Sequence, residues 1–172
     1  MDADFLLLHQ MKNGDGGAVD RFVRKHYPAI LRYCRLHVGD LSYAEDLTQD
    51  TFERFFRTLD RCRPYGKASS YLYAIAANAC RDFLRREAAH PADALDENAA
   101  APPDGADDRL DLERALARLP DELREVAILF FCQERRQQEI AQILNIGLPL
   151  VKYRVRRARE LLAADLGKED AR

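Results

Sequence analysis

Residues 147–162 read GLPLVKYRVRRARELL. Wound as an α-helix at about 100° per residue, the stretch places Val151, Val155, Ala158 and Leu162 on one stripe and Lys152, Tyr153, Arg156 and Arg157 on the other side. One face suits a core; the other concentrates positive charge. Just upstream, Glu139 to Leu144 (EIAQIL) is a shorter amphipathic segment, and Asn145, Ile146 and Gly147 form a tight connector. Pro149 lies near the first helical position, where a missing N–H leaves no bond unmade. This order predicts a helix-turn-helix whose second helix enters a DNA groove.

The rest of the composition narrows the class. With 172 residues, 47% of them hydrophobic, the chain is long enough for one or two small domains with their own cores. The longest clean apolar run, Val126 to Cys132, is far too short to span a bilayer, and the start MDADFLLLHQ carries acids where a signal peptide has bases. A cytoplasmic protein without membrane insertion is expected. Cys34, Cys62, Cys80 and Cys132 form no CxxC, and His9, His26, His37 and His90 form no paired ligand motif, so isolated reduced thiols and no metal are expected. No nucleophile with its base, and no phosphate-cradling glycine loop, can be assembled, which argues against an enzyme and against a cofactor.

The net charge of -2 hides an asymmetry. Residues 1–88 carry 14 Lys/Arg against 12 Asp/Glu, residues 89–111 one against seven, and residues 112–172 12 against 10. Two mildly basic blocks flank an acidic bridge, so nucleic-acid binding should be local and directed rather than a general coating.

In chain order, Phe5 to Met11 predicts a short helix broken by NGDGG at 13–17. Apolar positions Val19, Phe22, Val23, Ile30, Leu31 and Cys34 keep helical spacing to about Val38, with a kink expected at Pro28 and Ser42 as the next N-cap. Tyr43 to Leu59 is the strongest amphipathic helix: Ala44, Leu47, Thr48, Thr51, Phe55 and Leu59 line one side, Asp46, Gln49, Asp50 and Glu53 the other. From periodicity alone that acidic side is an ordinary solvated face. DRCRPYGKASS at 60–70 predicts a loop, and Tyr71 to Arg86 a helix burying Leu72, Ile75, Ala76, Ala79 and Phe83. Beside that stripe Tyr71, Asn78, Asp82 and Arg85 share an arc of roughly 60°. Such a ridge can stack on and hydrogen-bond to exposed bases.

His90 to Asp108 has no apolar period and is rich in Ala, Pro, Asp and Gly; it predicts a tether with a reach of about 60 Å. Helical pattern resumes at Leu110 to Leu119. After Pro120 the apolar positions Leu123, Val126, Ala127, Phe130 and Phe131 form the next helix. No strand pattern is present, so the expected fold class is all-α: two small helical domains, residues 1–88 and 110–168, joined by a flexible acidic linker at 89–109.

Taken together, AEDLTQDTF at 44–52, YLYAIAAN at 71–78, the acidic linker, and LPDELREVAIL, EIAQIL and VKYRVRRAREL towards the end resemble the extracytoplasmic-function (ECF) sigma factors of the sigma-70 family. The resemblance covers nearly the whole chain outside the linker. It implies a transcription initiation factor that binds core RNA polymerase, at the clamp helices of the largest subunit and at the β flap, and directs it to promoter DNA as duplex and as melted single strand. Asp46, Gln49, Asp50, Phe52 and Glu53 would grip polymerase. Arg61, Arg63, Tyr65, Lys67, Tyr71, Asn78, Asp82 and Arg85 would read the minus-ten element, with the loop 61–68 forming a pocket for a flipped base. Capturing that base offsets part of the cost of unpairing it, a few kcal/mol. Arg135, Arg136, Lys152, Tyr153, Arg156 and Arg157 would serve the minus-thirty-five element, some on bases and some on phosphates. The resemblance also implies an anti-sigma factor as a partner, a monomer when free, and a linker passing through the polymerase cleft.

Departures from the family pattern are specific. Tyr71 stands where a Trp is usual, keeping a smaller stacking face. Glu134, Arg135, Arg136 and Gln137 replace a Gly-Leu-Ser type of turn, placing positive charge where a helix N-terminus disfavours it. Leu148 and Pro149 replace a common Gly-Thr pair and remove a hydroxyl N-cap. Two rival readings are a helix-turn-helix regulator that never contacts polymerase and an anti-sigma adaptor; the second leaves the basic helix and the Asn78 ridge without a role.

Overall fold

The computed structural model describes residues 3–61, 67–90 and 107–169. The described residues hold helices and no strand, and the chain divides into two compact units, Met1–Arg86 and Glu87–Arg172.

The N-terminal unit contains α1 (Ala3–Lys12), α2 (Gly16–Val38), α3 (Leu41–Arg57), a 3-10 turn (Leu59–Arg61) and α4 (Ala68–Ala89). Turn chemistry sets the boundaries. The Asp15 carboxylate accepts the Ala18 N–H at 3.2 Å to start α2, which runs unbroken through Pro28. Gly39, at φ 77°, closes it with its N–H on the Arg35 carbonyl. The next residue already caps α3: Asp40, not the expected Ser42, accepts the Tyr43 N–H at 3.0 Å. A carboxylate next to the turning glycine meets the first free N–H groups sooner than a hydroxyl two residues on.

The core is built of rings. Phe22 stacks on Phe55 with centroids 4.9 Å apart, joining α2 to α3, and Tyr33 meets Tyr73 edge-on at 5.5 Å, joining α2 to α4. Thr48 and Thr51 are fully buried on α3 because each hydroxyl donates back along the helix, to Ala44 and Leu47, at 2.7 Å. On α4 the buried face is Leu72, Tyr73, Ala76, Ala77, Ala79 and Cys80, with Ile75 and Phe83 at its half-exposed edges. The cysteines are not all isolated: Cys34 of α2 and Cys80 of α4, both buried, are neighbours. A hydrogen bond from Cys80, opposed by burial and aided by Thr48, lowers the Cys34 thiol pKa. Asp4, 4% exposed, ties α1 to α2 through Lys25 at 2.6 Å and His26 at 3.1 Å.

The C-terminal unit contains α5 (Asp107–Arg118), α6 (Asp121–Ala127), α7 (Gln137–Leu144) and α8 (Leu148–Glu169). Arg124 joins α5 to α6. Its guanidinium donates to the carbonyls of Leu116 (3.1 Å), Ala117 (3.1 Å) and Leu119 (2.7 Å), groups at a helix end that lack further helix to bond to, and pairs with Asp121 at 3.0 Å. Beyond Ala127 the chain winds as a π-helical turn, Ile128–Cys132, with the Gln133 N–H bonded five residues back to Ile128. The wider turn corrects the expected packing. Ile128 and Leu129 are fully buried, while Phe130 and Phe131 lie half-exposed beneath the Arg159 guanidinium, 5.9 and 5.6 Å from their centroids.

Candidate functional site

Three exposed faces carry the residues with chemistry beyond packing. On α3, Asp46, Gln49 and Glu53 are exposed and Asp50 half-exposed. Two of these charges are engaged along the helix: Asp50 pairs with Arg54 at 2.9 Å and Glu53 lies 4.0 Å from Arg57. Such exposed pairs hold loosely, about 0.3–0.5 kcal/mol each, and release readily to a stronger partner. Phe52 does not belong to this face. It is 5% exposed and stacked 6.0 Å from Tyr27, so it packs α3 on α2 and is not part of the exposed face. At about 100° per residue Phe52 lies about 40° from Thr48 and about 60° from Phe55, at the edge of the buried side. At the start of the same helix Leu41 and Tyr43 are 49% and 47% exposed, with Tyr43 4.9 Å from Phe83. These apolar neighbours of the acidic face were missed from sequence, where they stand just before the motif.

The second face runs along one side of α4. Tyr71, Asn78, Asp82 and Arg85 are all exposed, on the side away from Leu72 and Ala76. They are lightly bonded to one another and to neighbours: Arg81 donates to the Asn78 amide oxygen at 3.5 Å, and Arg85 lies 4.0 Å from Asp82. Tyr71 is better held, its ring 5.8 Å from Phe55 and its hydroxyl donating to Thr58 at 2.8 Å. Arg61 and Lys67 are exposed on either side of the connecting segment. Arg63 and Tyr65 lie outside the described residues, as does most of the linker.

The third face is on the helix pair α7 and α8. Val151, Val155, Ala158 and Leu162 form the buried stripe, and Lys152, Tyr153, Arg156 and Arg157 stand exposed opposite it. The corner between the helices is made by Asn145, at φ 52° and ψ 49°, a left-handed conformation that Asn tolerates better than most residues. Arg154, between the two faces of α8, reaches Glu122 of α6 at 3.4 Å, and Asp165 reaches Arg118 of α5 at 2.8 Å. Both pairs fix the helix on its unit. On the exposed side the Arg156 guanidinium sits over the Tyr153 ring at 5.7 Å, and Arg157 pairs with Glu160 at 3.1 Å.

The charge problem at the start of α7 has a local answer. Arg136 occupies the N-cap position, and its backbone N–H donates to the Glu139 carboxylate at 2.9 Å. An arginine side chain has no acceptor to offer the helix in return, so only half of a capping box forms. The Glu139 charge, in the first turn, offsets the arginines there. Arg136 is exposed and Arg135 half-exposed, following Glu134 at φ 52°. No helix among the described residues is long and apolar enough to cross a membrane.

The comparisons with known proteins agree with one another. Residues 22–90 match the family model of Sigma-70 region 2, and residues 109–162 that of Sigma-70 region 4. The ECF RNA polymerase sigma factor SigM of Mycobacterium tuberculosis is 33% identical over 168 residues, spanning 96% of this chain and 85% of its own length. SigW of Bacillus subtilis is 30% identical over 178 residues, 92% of this chain and 94% of its own. Among solved structures, CnrH in complex with the cytosolic domain of CnrY is similar with a TM-score of 0.78 and 29% identity, over 97% of this chain and 99% of that one. Motifs, helix order and relatives converge: the chain belongs to the sigma-70 family, as an extracytoplasmic-function RNA polymerase sigma factor.

Proposed function

We propose that the three faces divide the work of promoter-specific initiation among themselves. Residues 1–88 act as the polymerase-binding and minus-ten unit, residues 110–168 as the minus-thirty-five unit, and residues 89–109 as the tether. Asp46, Gln49, Asp50 and Glu53 dock on the clamp helices of the polymerase largest subunit. Their surface pairs with Arg54 and Arg57 exchange for intermolecular ones. Tyr71, Asn78, Asp82 and Arg85, flanked by Arg61 and Lys67, contact the unpaired minus-ten strand by stacking and hydrogen bonding. Lys152, Tyr153, Arg156 and Arg157 enter the major groove of the minus-thirty-five element, with Arg135 and Arg136 on the adjoining phosphates. The protein works in the cytoplasm, as a monomer when free, and contributes binding and melting rather than catalysis of its own.

The observation that carries this reading is the recognition geometry of α8: a stripe of four buried apolar residues opposite an exposed Lys, Tyr and two Arg. The acidic face of α3 extends it from DNA binding to polymerase binding. CnrH is known in a complex with the cytosolic domain of CnrY, and an anti-sigma factor is proposed as a partner of this chain. Transcription with core polymerase on a randomised promoter library tests the whole. Enrichment of two spaced elements with defined start sites is the expected result; polymerase binding without any specific start, or no binding, refutes it.

A further inference from the structure

Tyr71 is held from two sides. The fully buried Phe55 supports its ring at 5.8 Å with a tilt of 50°, and its hydroxyl donates to Thr58 Oγ1 at 2.8 Å. Thr58, the C-cap residue of α3, has its own hydroxyl proton committed inward, towards the carbonyls of Arg54 (3.0 Å) and Phe55 (3.2 Å). Its remaining lone pair is therefore presented outward as an acceptor for Tyr71. A relay from the end of α3 thus fixes a ring that is 36% exposed in the first turn of α4. A phenylalanine could not make this bond, and a tryptophan, usual at this position, would carry its only donor, the indole N–H, at a different place on the ring.

We propose that Thr58 is a positioning residue for promoter opening: its hydroxyl locks the Tyr71 ring in the orientation in which an unpaired base stacks on it. The inference rests on the reading of Tyr71 as a contact to the melted strand. An aromatic side chain fixed before binding loses less rotamer freedom when the base arrives. The bond makes a small ring act as a rigid platform, in place of the larger area of an indole.

The test uses holoenzyme assembled from core polymerase and the full chain, on a promoter carrying 2-aminopurine in the minus-ten element. Opening is followed by the fluorescence of the unstacked base, and polymerase affinity is measured alongside. Thr58→Val and Tyr71→Phe should each slow opening about two- to fivefold, the range for a partly exposed neutral hydrogen bond. The double variant should be no slower than either single one, and Thr58→Ser should behave as the native protein. Additive losses, or an equal loss of polymerase affinity, would overturn the proposal. Tyr71→Ala separates the two levels. If it slows opening strongly while Thr58→Val does not, the relay fails and the stacking role stands; if it leaves opening unchanged, both fail.

Discussion

Replacing Arg124 with Ala should loosen the whole C-terminal unit, and the structure allows the size of the effect to be worked out. The guanidinium donates to three carbonyls at the end of α5 and pairs with Asp121, while its side chain is only 13% exposed. A hydrogen bond from a charged donor contributes about 1.5–3 kcal/mol. The Ala117 carbonyl is exposed and recovers water, and the Asp121 carboxylate is 74% exposed, so both are discounted heavily. The carbonyls of Leu116 and Leu119 remain; two such bonds would total about 3–6 kcal/mol, and their partial exposure brings the loss down to about 2–4 kcal/mol. Hydrogen exchange monitored by mass spectrometry should show the slowest amides of α5, α6 and α8 exchanging roughly 30- to 700-fold faster, with those of α2 and α3 unchanged. Arg124→Lys should recover only part, since an ammonium lacks the fork that reaches separate carbonyls. A change below about threefold in the Ala variant, or full recovery by Lys, would refute the assignment of Arg124 as the clamp between α5 and α6.

Other outcomes follow from particular contacts. Burial raises the Asp4 pKa, but the Lys25 hydrogen bond and His26 outweigh it, so the folded value lies below the ordinary one. The stability this contributes is therefore present above the unfolded carboxylate pKa of about 4 and is lost as pH falls through the folded value. Protease cleavage at α1 should rise on acidification in the native protein and lose that pH dependence in Asp4→Asn. Phe52→Ala should lower stability by about 3–5 kcal/mol, seen in urea unfolding, whereas Asp46→Ala should weaken polymerase binding with an unchanged midpoint. Equal stability effects of the two would undo the division between core and surface on α3. Arg135→Ala together with Arg136→Ala should weaken promoter binding and reduce the slope of log K against log salt by about 2; an unchanged slope excludes phosphate contact by this pair.

What the sequence made legible was whatever followed a regular period. The α8 stripe of Val151, Val155, Ala158 and Leu162 is buried as 3.6-residue spacing requires, and the acids of α3 project on the opposite side from Ala44, Leu47 and Phe55. Departures arose where the period changes or where partners are distant in sequence. The π-helical turn rotates the chain so that Ile128 and Leu129 take the interior in place of Phe130 and Phe131. The motif AEDLTQDTF groups Phe52 with the acids, although its helical angle, about 40° from Thr48, places it at the edge of the core side. The Cys34 and Cys80 contact and the Tyr71 to Thr58 bond are products of tertiary packing, which local pattern does not encode. Residue type still carried information there, since a tyrosine in place of the usual tryptophan brings a hydroxyl that needs an acceptor.

The π-helical turn at Ile128–Cys132 has a further consequence for how such a chain can change over evolutionary time. It holds one residue more than a regular helix needs over the same rise, so deleting one residue there would restore ordinary winding at little local expense. The deletion would leave the direction in which the backbone leaves this segment nearly unchanged, whereas a residue lost from the regular winding of α6 before it would rotate that exit by about 100°. Everything downstream, including α7 and the exposed basic side of α8, takes its bearing from that exit. Length variation should therefore be tolerated within this single turn and tolerated poorly in the regular turns of α6 that precede it.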